Sequence, residues 1–162
     1  MPEETLETAA SESQIEEAAI ADELIEETTS HAEVIETVIS SLDASDTAMV
    51  SRGEGGNIWK FQYGTVEVFV QMTGEAEEDI FTVWASVLAL PVNDEPKLFR
   101  KLLEMNWNST FEASFGICDN KIAISAQRTV TDLSPEEISR AITLVAGIAD
   151  ENNELLQAEF GQ

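Results

Sequence analysis

A chain of 162 residues with 43% apolar content supports one hydrophobic core and leaves no length for a second full domain. Eight Lys and Arg against 32 Asp and Glu give a formal charge of -24, which opposes counterion-driven binding of nucleic acid and docking on anionic lipid. Cys118 is the only cysteine, so there is no intramolecular disulfide and no Cys-rich metal site, and a reducing compartment fits.

The charge is unevenly placed. Residues 1–50 hold 14 acids and no Lys or Arg, and residues 51–162 hold the other 18 acids with all 8 bases, so the two parts stand near -14 and -10. The start, Met1-Pro2-Glu3-Glu4, lacks the basic and then apolar pattern of a secretory signal. No run reaches the roughly 18 apolar residues of a membrane span. The expected location is the cytoplasm.

Up to residue 29 the large apolar residues after Met1 are Leu6, Ile15, Ile20, Leu24 and Ile25. Burying all five yields at most about 8 to 15 kcal/mol. Fixing the backbone of so many residues costs roughly 1 to 2 kcal/mol each. Residues 1–29 therefore read as a disordered acidic tail, with a weak amphipathic helix on contact with a partner as the alternative. From Ser30, an N-cap with Glu33 three residues on, Val34, Ile35, Val38, Ile39 and Leu42 keep helical spacing. Residues 43–56 are polar and contain Gly53-Glu54-Gly55-Gly56, the signature of a loop.

Trp59, Phe61 and Tyr63, then Val66, Val68, Val70 and Met72, alternate with polar residues on either side of Gly64 and predict a hairpin. After an acidic turn, residues 80–90 form a nearly unbroken apolar run, expected as a central strand covered on both faces. Asn93 or Asp94 caps a helix with Pro96 in its first turn, and Leu98, Phe99, Leu102, Leu103, Met105 and Trp107 give that helix an unusually wide apolar surface. Phe111, Ala113, Phe115 and Ile117 read as a strand, and Asp119-Asn120 as the turn into Ile122, Ile124 and Ala126. Ser134-Pro135-Glu136-Glu137 is a capping box with Pro at the first helical position, and apolar spacing continues from Ile138 to Leu156. The expected fold is α+β: an antiparallel sheet of about five strands flanked by three helices, in the order α-β-β-β-α-β-β-α, over residues 30–162.

Catalysis requires converging acids, bases, nucleophiles or metal ligands, and the supply is thin. His31, the only histidine, adjoins the acidic tail, and Cys118 has no neighbouring base in sequence and reads as a small buried hydrophobe. Glu75, Glu77, Glu78 and Asp79 lack the ligand spacing of a calcium loop and read as a solvated turn. The stripe Trp59, Phe61, Tyr63 lacks the bases of a nucleotide-stacking platform and reads as core. No catalytic, cofactor-binding or metal-binding residue is expected. Leu98, Phe99, Leu102, Met105 and Trp107 are the candidate partner or dimer surface, with a wide core face as the equal alternative.

The stretch Leu98 to Asn108 leading into Phe111 to Ile117, the run Thr131-Asp132-Leu133-Ser134-Pro135-Glu136-Glu137, the acidic charge and the element order resemble the YbjN family, which shares the fold of type III secretion chaperones. The resemblance spans residues 30–160. It implies a helix-and-sheet sandwich that often dimerises, no enzymatic activity, and a role in binding proteins or influencing signalling and stress responses. The expected function is a non-enzymatic, chaperone-like or regulatory protein-binding module, a homodimer with a further protein partner. A small-molecule sensor is the alternative.

Overall fold

The computed structural model describes residues 30–162, so the expected acidic tail at 1–29 lies outside the described residues. The first helix, α1 (His31–Leu42), begins as its sequence dictates, with the Glu33 N–H donating to Ser30 Oγ at 3.1 Å, and it buries Ile35 and Ile39. Six antiparallel strands follow: β1 (Met49–Gly53), β2 (Gly56–Tyr63), β3 (Val66–Met72), β4 (Ile80–Ala89), β5 (Ser114–Cys118) and β6 (Lys121–Thr129). Two further helices, α2 (Glu95–Asn108) and α3 (Pro135–Phe160), stand between β4 and β5 and after β6.

The strand order in the sheet is β1-β2-β3-β4-β6-β5, so β4 is central as its composition requires. One residue row, Phe61, Val68, Ala85, Ile124 and Phe115, runs across five strands by direct pairing and is buried throughout. Above it lies α3, whose Ile138, Ile142, Val145, Ile148, Ala149 and Leu156 are buried and which packs on β3, β4 and β6. Each large buried side chain contributes about 1.5 to 3 kcal/mol. The capping box of α3 forms, since Ser134 Oγ accepts from the Glu137 N–H at 3.2 Å.

Three local expectations change. Residues 49–53, read as loop, are the edge strand β1. All five are exposed, so the strand carries no alternation, and its backbone pairing to β2 alone defines it. The tight turn between them depends on Gly56 at φ 92°, where a Cβ would overlap the Met72 carbonyl oxygen. The strand read from Phe111 begins only at Ser114, because Phe111 sits at φ 54° in a turn closed by the Ala113 N–H donating to Thr110 O. And β4 is covered on one face only, with Thr82 and Trp84 half-buried and Ser86 exposed on the other.

Several acids hold the frame together. Asp43, largely buried after α1, accepts the Thr47 N–H and hydroxyl at 2.7 Å each and the Ala48 N–H at 2.8 Å. Thr47 Oγ1 in turn accepts the Gln62 N–H, which ties the α1–β1 connection to β2. Asp150 of α3 accepts the N–H and hydroxyl of Thr65, both at 2.8 Å, pinning the β2–β3 turn. Those two bonds, the backbone one foremost, hold the Asp150 carboxyl below the usual carboxylate range.

Two measurements check these clamps. Asp43→Ala leaves three donors without their acceptor and is expected to lower unfolding free energy by about 2 kcal/mol, read as a shifted urea midpoint at unchanged slope. For Asp150, a folded-state value below the unfolded one means stability that is fully present above pH about 4 and lost as pH falls through the folded value. Asp150→Ala is therefore expected to melt a few degrees below wild type at pH 7, with the gap closing towards pH 2. A gap independent of pH would remove the carboxylate from the explanation.

Candidate functional site

Helix α2 is placed by its own caps. Asp94, in the left-handed region, accepts from the Lys97 N–H through its side chain, and the C-terminal Ser109 N–H donates to Met105 O. Asn106 then fastens the helix to the sheet: its Oδ1 accepts the Phe115 N–H at 2.7 Å and its Nδ2 donates to the Phe115 carbonyl at 3.3 Å. A side-chain amide thus replaces a neighbouring strand along this part of the β5 edge.

With the helix held so, its apolar residues divide. Leu98 and Leu102 are 0% and 5% exposed and belong to the core, so the expectation that they form a partner surface is corrected. Phe99 and Met105 are half-buried, and Trp107 is 89% exposed. The expected surface set omits Leu103, which is 68% exposed. Its signal lies in the spacing, because Phe99, Leu103 and Trp107 fall at i, i+4 and i+8 and form one continuous stripe. With Pro96 they line a shallow open groove.

The charges around this stripe are largely compensated within the fold. Arg100 and Glu104 pair at 3.1 Å one turn apart beside it. On the flank towards α3, Lys101 reaches Glu159 at 2.7 Å and Lys97 the same carboxylate at 3.7 Å, and each ammonium lies 5.9 Å from the Phe160 ring centroid. The hydrogen bond from Lys101, followed by the charges of both lysines, keeps the Glu159 carboxyl below its ordinary range.

A second concavity, about 380 Å³, opens between β6 and α3, with Phe81, Ala126, Ala141 and Leu144 forming its apolar walls. At its rim Arg140 makes a two-point pair with Glu112, Nε to Oε2 at 2.8 Å and Nη2 to Oε1 at 3.0 Å. The pairing lowers the Glu112 carboxyl and raises the Arg140 guanidinium relative to their usual ranges. Phe111, 75% exposed, lies under the same guanidinium at 5.9 Å. Arg128, beside it, pairs with Glu137 and donates to the Thr129 and Thr131 carbonyls.

Other residues singled out in the sequence are scattered. His31 opens α1, and Cys118 ends β5 exposed rather than buried, because it stands at the hairpin turn on the sheet face away from α3. Trp59 and Phe61 are core, as expected. In the acidic turn, Asp79 accepts the Thr73 hydroxyl and the Ala76 N–H, each at 2.9 Å. Among the described residues no group of three or more His, Cys, Asp or Glu side chains is arranged to hold a metal ion, and no helix is long and apolar enough to cross a membrane.

The sequence profile of the family described as "YbjN: Putative bacterial sensory transduction regulator" matches residues 31–158. No curated protein sequence matches the chain. Among solved structures, a chain in the crystal structure of the ExsC-ExsE complex superposes with a TM-score of 0.55 at 20% identity, covering 76% of this chain and 90% of that one. The overlay shows the fold, in agreement with the secretion-chaperone-like architecture expected from the sequence.

The division of α2 is open to direct test. Leu102→Ala is expected to cost about 2 to 5 kcal/mol, as for a cavity-forming core change, whereas Leu103→Glu is expected to stay within about 0.5 kcal/mol of wild type. Equal costs for the two in urea titrations would place Leu103 in the core.

Proposed function

We propose, for a chain that belongs to the YbjN family, a cytoplasmic, non-enzymatic and dimeric protein-binding module of chaperone-like or regulatory type. The observation that carries this reading is the stripe of exposed Leu103 and Trp107 with half-buried Phe99, since large exposed apolar residues aligned along one helix mark an interaction surface. The partner that fits is a polypeptide segment with apolar anchors and basic flanks. Its anchors meet the stripe, and the -24 body attracts its charges and speeds the encounter. The similar chain of the ExsC-ExsE complex comes from an assembly, which supports a protein partner at the level of fold analogy. The non-enzymatic part rests on the thin supply of acid–base and nucleophilic groups, one histidine and one cysteine in the whole sequence.

Recovery from a native extract tests this reading, with the full chain compared against Leu103→Glu combined with Trp107→Glu. A defined polypeptide retained by wild type and lost at least tenfold in the variant is the expected outcome, with release by raised salt. Identical recovery by both proteins would remove α2 from the contact.

A second reading, a small-molecule sensor, has the concavity beside Arg140 in its favour, because an apolar wall with one charged rim is how ligand pockets are built. A ligand at 100 times its dissociation constant would add about 2.7 kcal/mol of stability, and a metabolite panel that leaves the melting temperature unmoved would eliminate it.

A further inference from the structure

Among the described residues the strands hold one carboxylate, Glu67 of β3, and the sheet face turned away from α3 is almost free of charge. Lys60 and Glu67 pair on it at 3.1 Å, and Lys121 stands at its far corner. The rest of that face is neutral and polar around two aromatic rings. Direct pairing sets Phe69, Trp84 and Ser125 in one row across β3, β4 and β6. Phe69 and Trp84 stack with ring centroids 5.2 Å apart and planes 11° from parallel, so Phe69 takes one face of the indole and the other looks along the row over Ser125. That second face is the wall of an open trough of about 360 Å³, with Gly116 and Ser125 on its floor and Gln71, Thr82 and Gln127 around it. Gln127 Nε2 donates to Thr82 Oγ1 at 3.3 Å. Among the described residues the Ser125 hydroxyl and the Gln71 amide have no hydrogen-bond partner within the fold, and their polar atoms are open to solvent.

We propose that this trough binds a neutral sugar, the pyranose ring of a glycoside laid against the free indole face of Trp84; the site stands apart from the α2 stripe and from the concavity beside Arg140 and depends on neither. Charge narrows the ligand first. A phosphate or carboxylate meets the repulsion of a -24 body and finds no cationic side chain in the trough walls, and a cation finds no carboxylate there. Polarity narrows it further. A wholly apolar ligand would cover the Ser125 hydroxyl and the Gln71 and Gln127 amides without replacing their bonds to water, which burial of polar groups penalises. A pyranose answers both demands. Its C–H bonds rest on the negative π face of the indole, and its hydroxyls donate to and accept from the surrounding amides and hydroxyls. A planar heterocycle also stacks on an indole, but a single aromatic wall leaves its second apolar face on water, whereas a pyranose turns hydroxyls to that side. The volume lies in the lower part of the about 300 to 1,000 Å³ usual for small-ligand sites, and the open shape suits the end of a longer glycan.

The indole N–H signals of the nitrogen-labelled full chain, one each for Trp59, Trp84 and Trp107, report binding by NMR, and Trp84→Phe assigns the Trp84 signal while keeping an aromatic wall. The probes are the methyl glycosides of glucose, galactose and mannose with maltose, cellobiose and lactose, each titrated to about 50 mM to reach weak, millimolar affinities. At least one is expected to shift the Trp84 signal along a saturating curve while the Trp59 and Trp107 signals stay in place. The curve is expected to be the same at low and high salt, because no charge carries the contact. The uronic acid matched to that probe is expected to bind at least about tenfold more weakly, through repulsion by the acidic body. Ser125→Ala, which removes one hydroxyl from the floor, is expected to raise the dissociation constant about 2- to 12-fold with an unchanged circular dichroism spectrum. Leu103→Glu combined with Trp107→Glu is expected to bind the glycoside as wild type does, so that failure of the α2 contact and failure of this site are read separately. No saturable shift of the Trp84 signal with any probe overturns the proposal, as does a shift that Ser125→Ala leaves unchanged or that the uronic acid reproduces at equal affinity.

Discussion

The burial of α3 against β3, β4 and β6 is the contact from which the other features of the molecule follow. A helix of 26 residues is about 39 Å long and needs a broad apolar platform, which the alternating faces of the central strands provide. Because α3 covers one face, the half-buried residues of the other face remain in view. Its last turn, through Glu159 and Phe160, also gives α2 a place to rest at the end of the sheet. The division of α2 into a buried side with Leu98 and Leu102 and an exposed side with Leu103 and Trp107 is a consequence of that position.

Charge is partitioned as strictly as apolarity. Among the described residues the strands hold a single carboxylate, Glu67 of β3, since desolvation there would be costly, and the other acids lie in helices, turns and connections. Many of them act there as hydrogen-bond acceptors for the backbone: Asp43 and Asp79 close turns, Asp94 caps α2, and Asp150 clamps the β2–β3 turn. An excess of acid that would otherwise only oppose compaction through self-repulsion contributes in this way to the frame. The surfaces left almost uncharged, the α2 stripe and the open sheet face, stand out against this background.

Reading ahead from sequence succeeded where a local signal carries its own geometry. The Ser134 capping box produced α3, Ser30 and Asp94 produced the starts of the other helices, and the alternation around Gly64 produced the β2–β3 hairpin. It failed where the signal is shared between neighbours. β1 has no periodicity of its own and exists through its pairing with β2. Phe111 continues the alternation of β5 yet leaves the strand through a left-handed turn. The family resemblance and the expected fold both held, because they depend on the order of elements rather than on their edges.

Composition and periodicity by themselves determined that this chain is an acidic α+β protein in which one helix carries an unusually wide apolar surface. Only the tertiary structure decided which of those apolar residues are covered, and that, among the described residues, the second face of the sheet is half-buried to exposed. The physical reason is that periodicity states which side chains share a face. Whether a face is buried depends on how many helices reach it, and here α3 lies over one side while α2 is held at the β5 edge by Asn106.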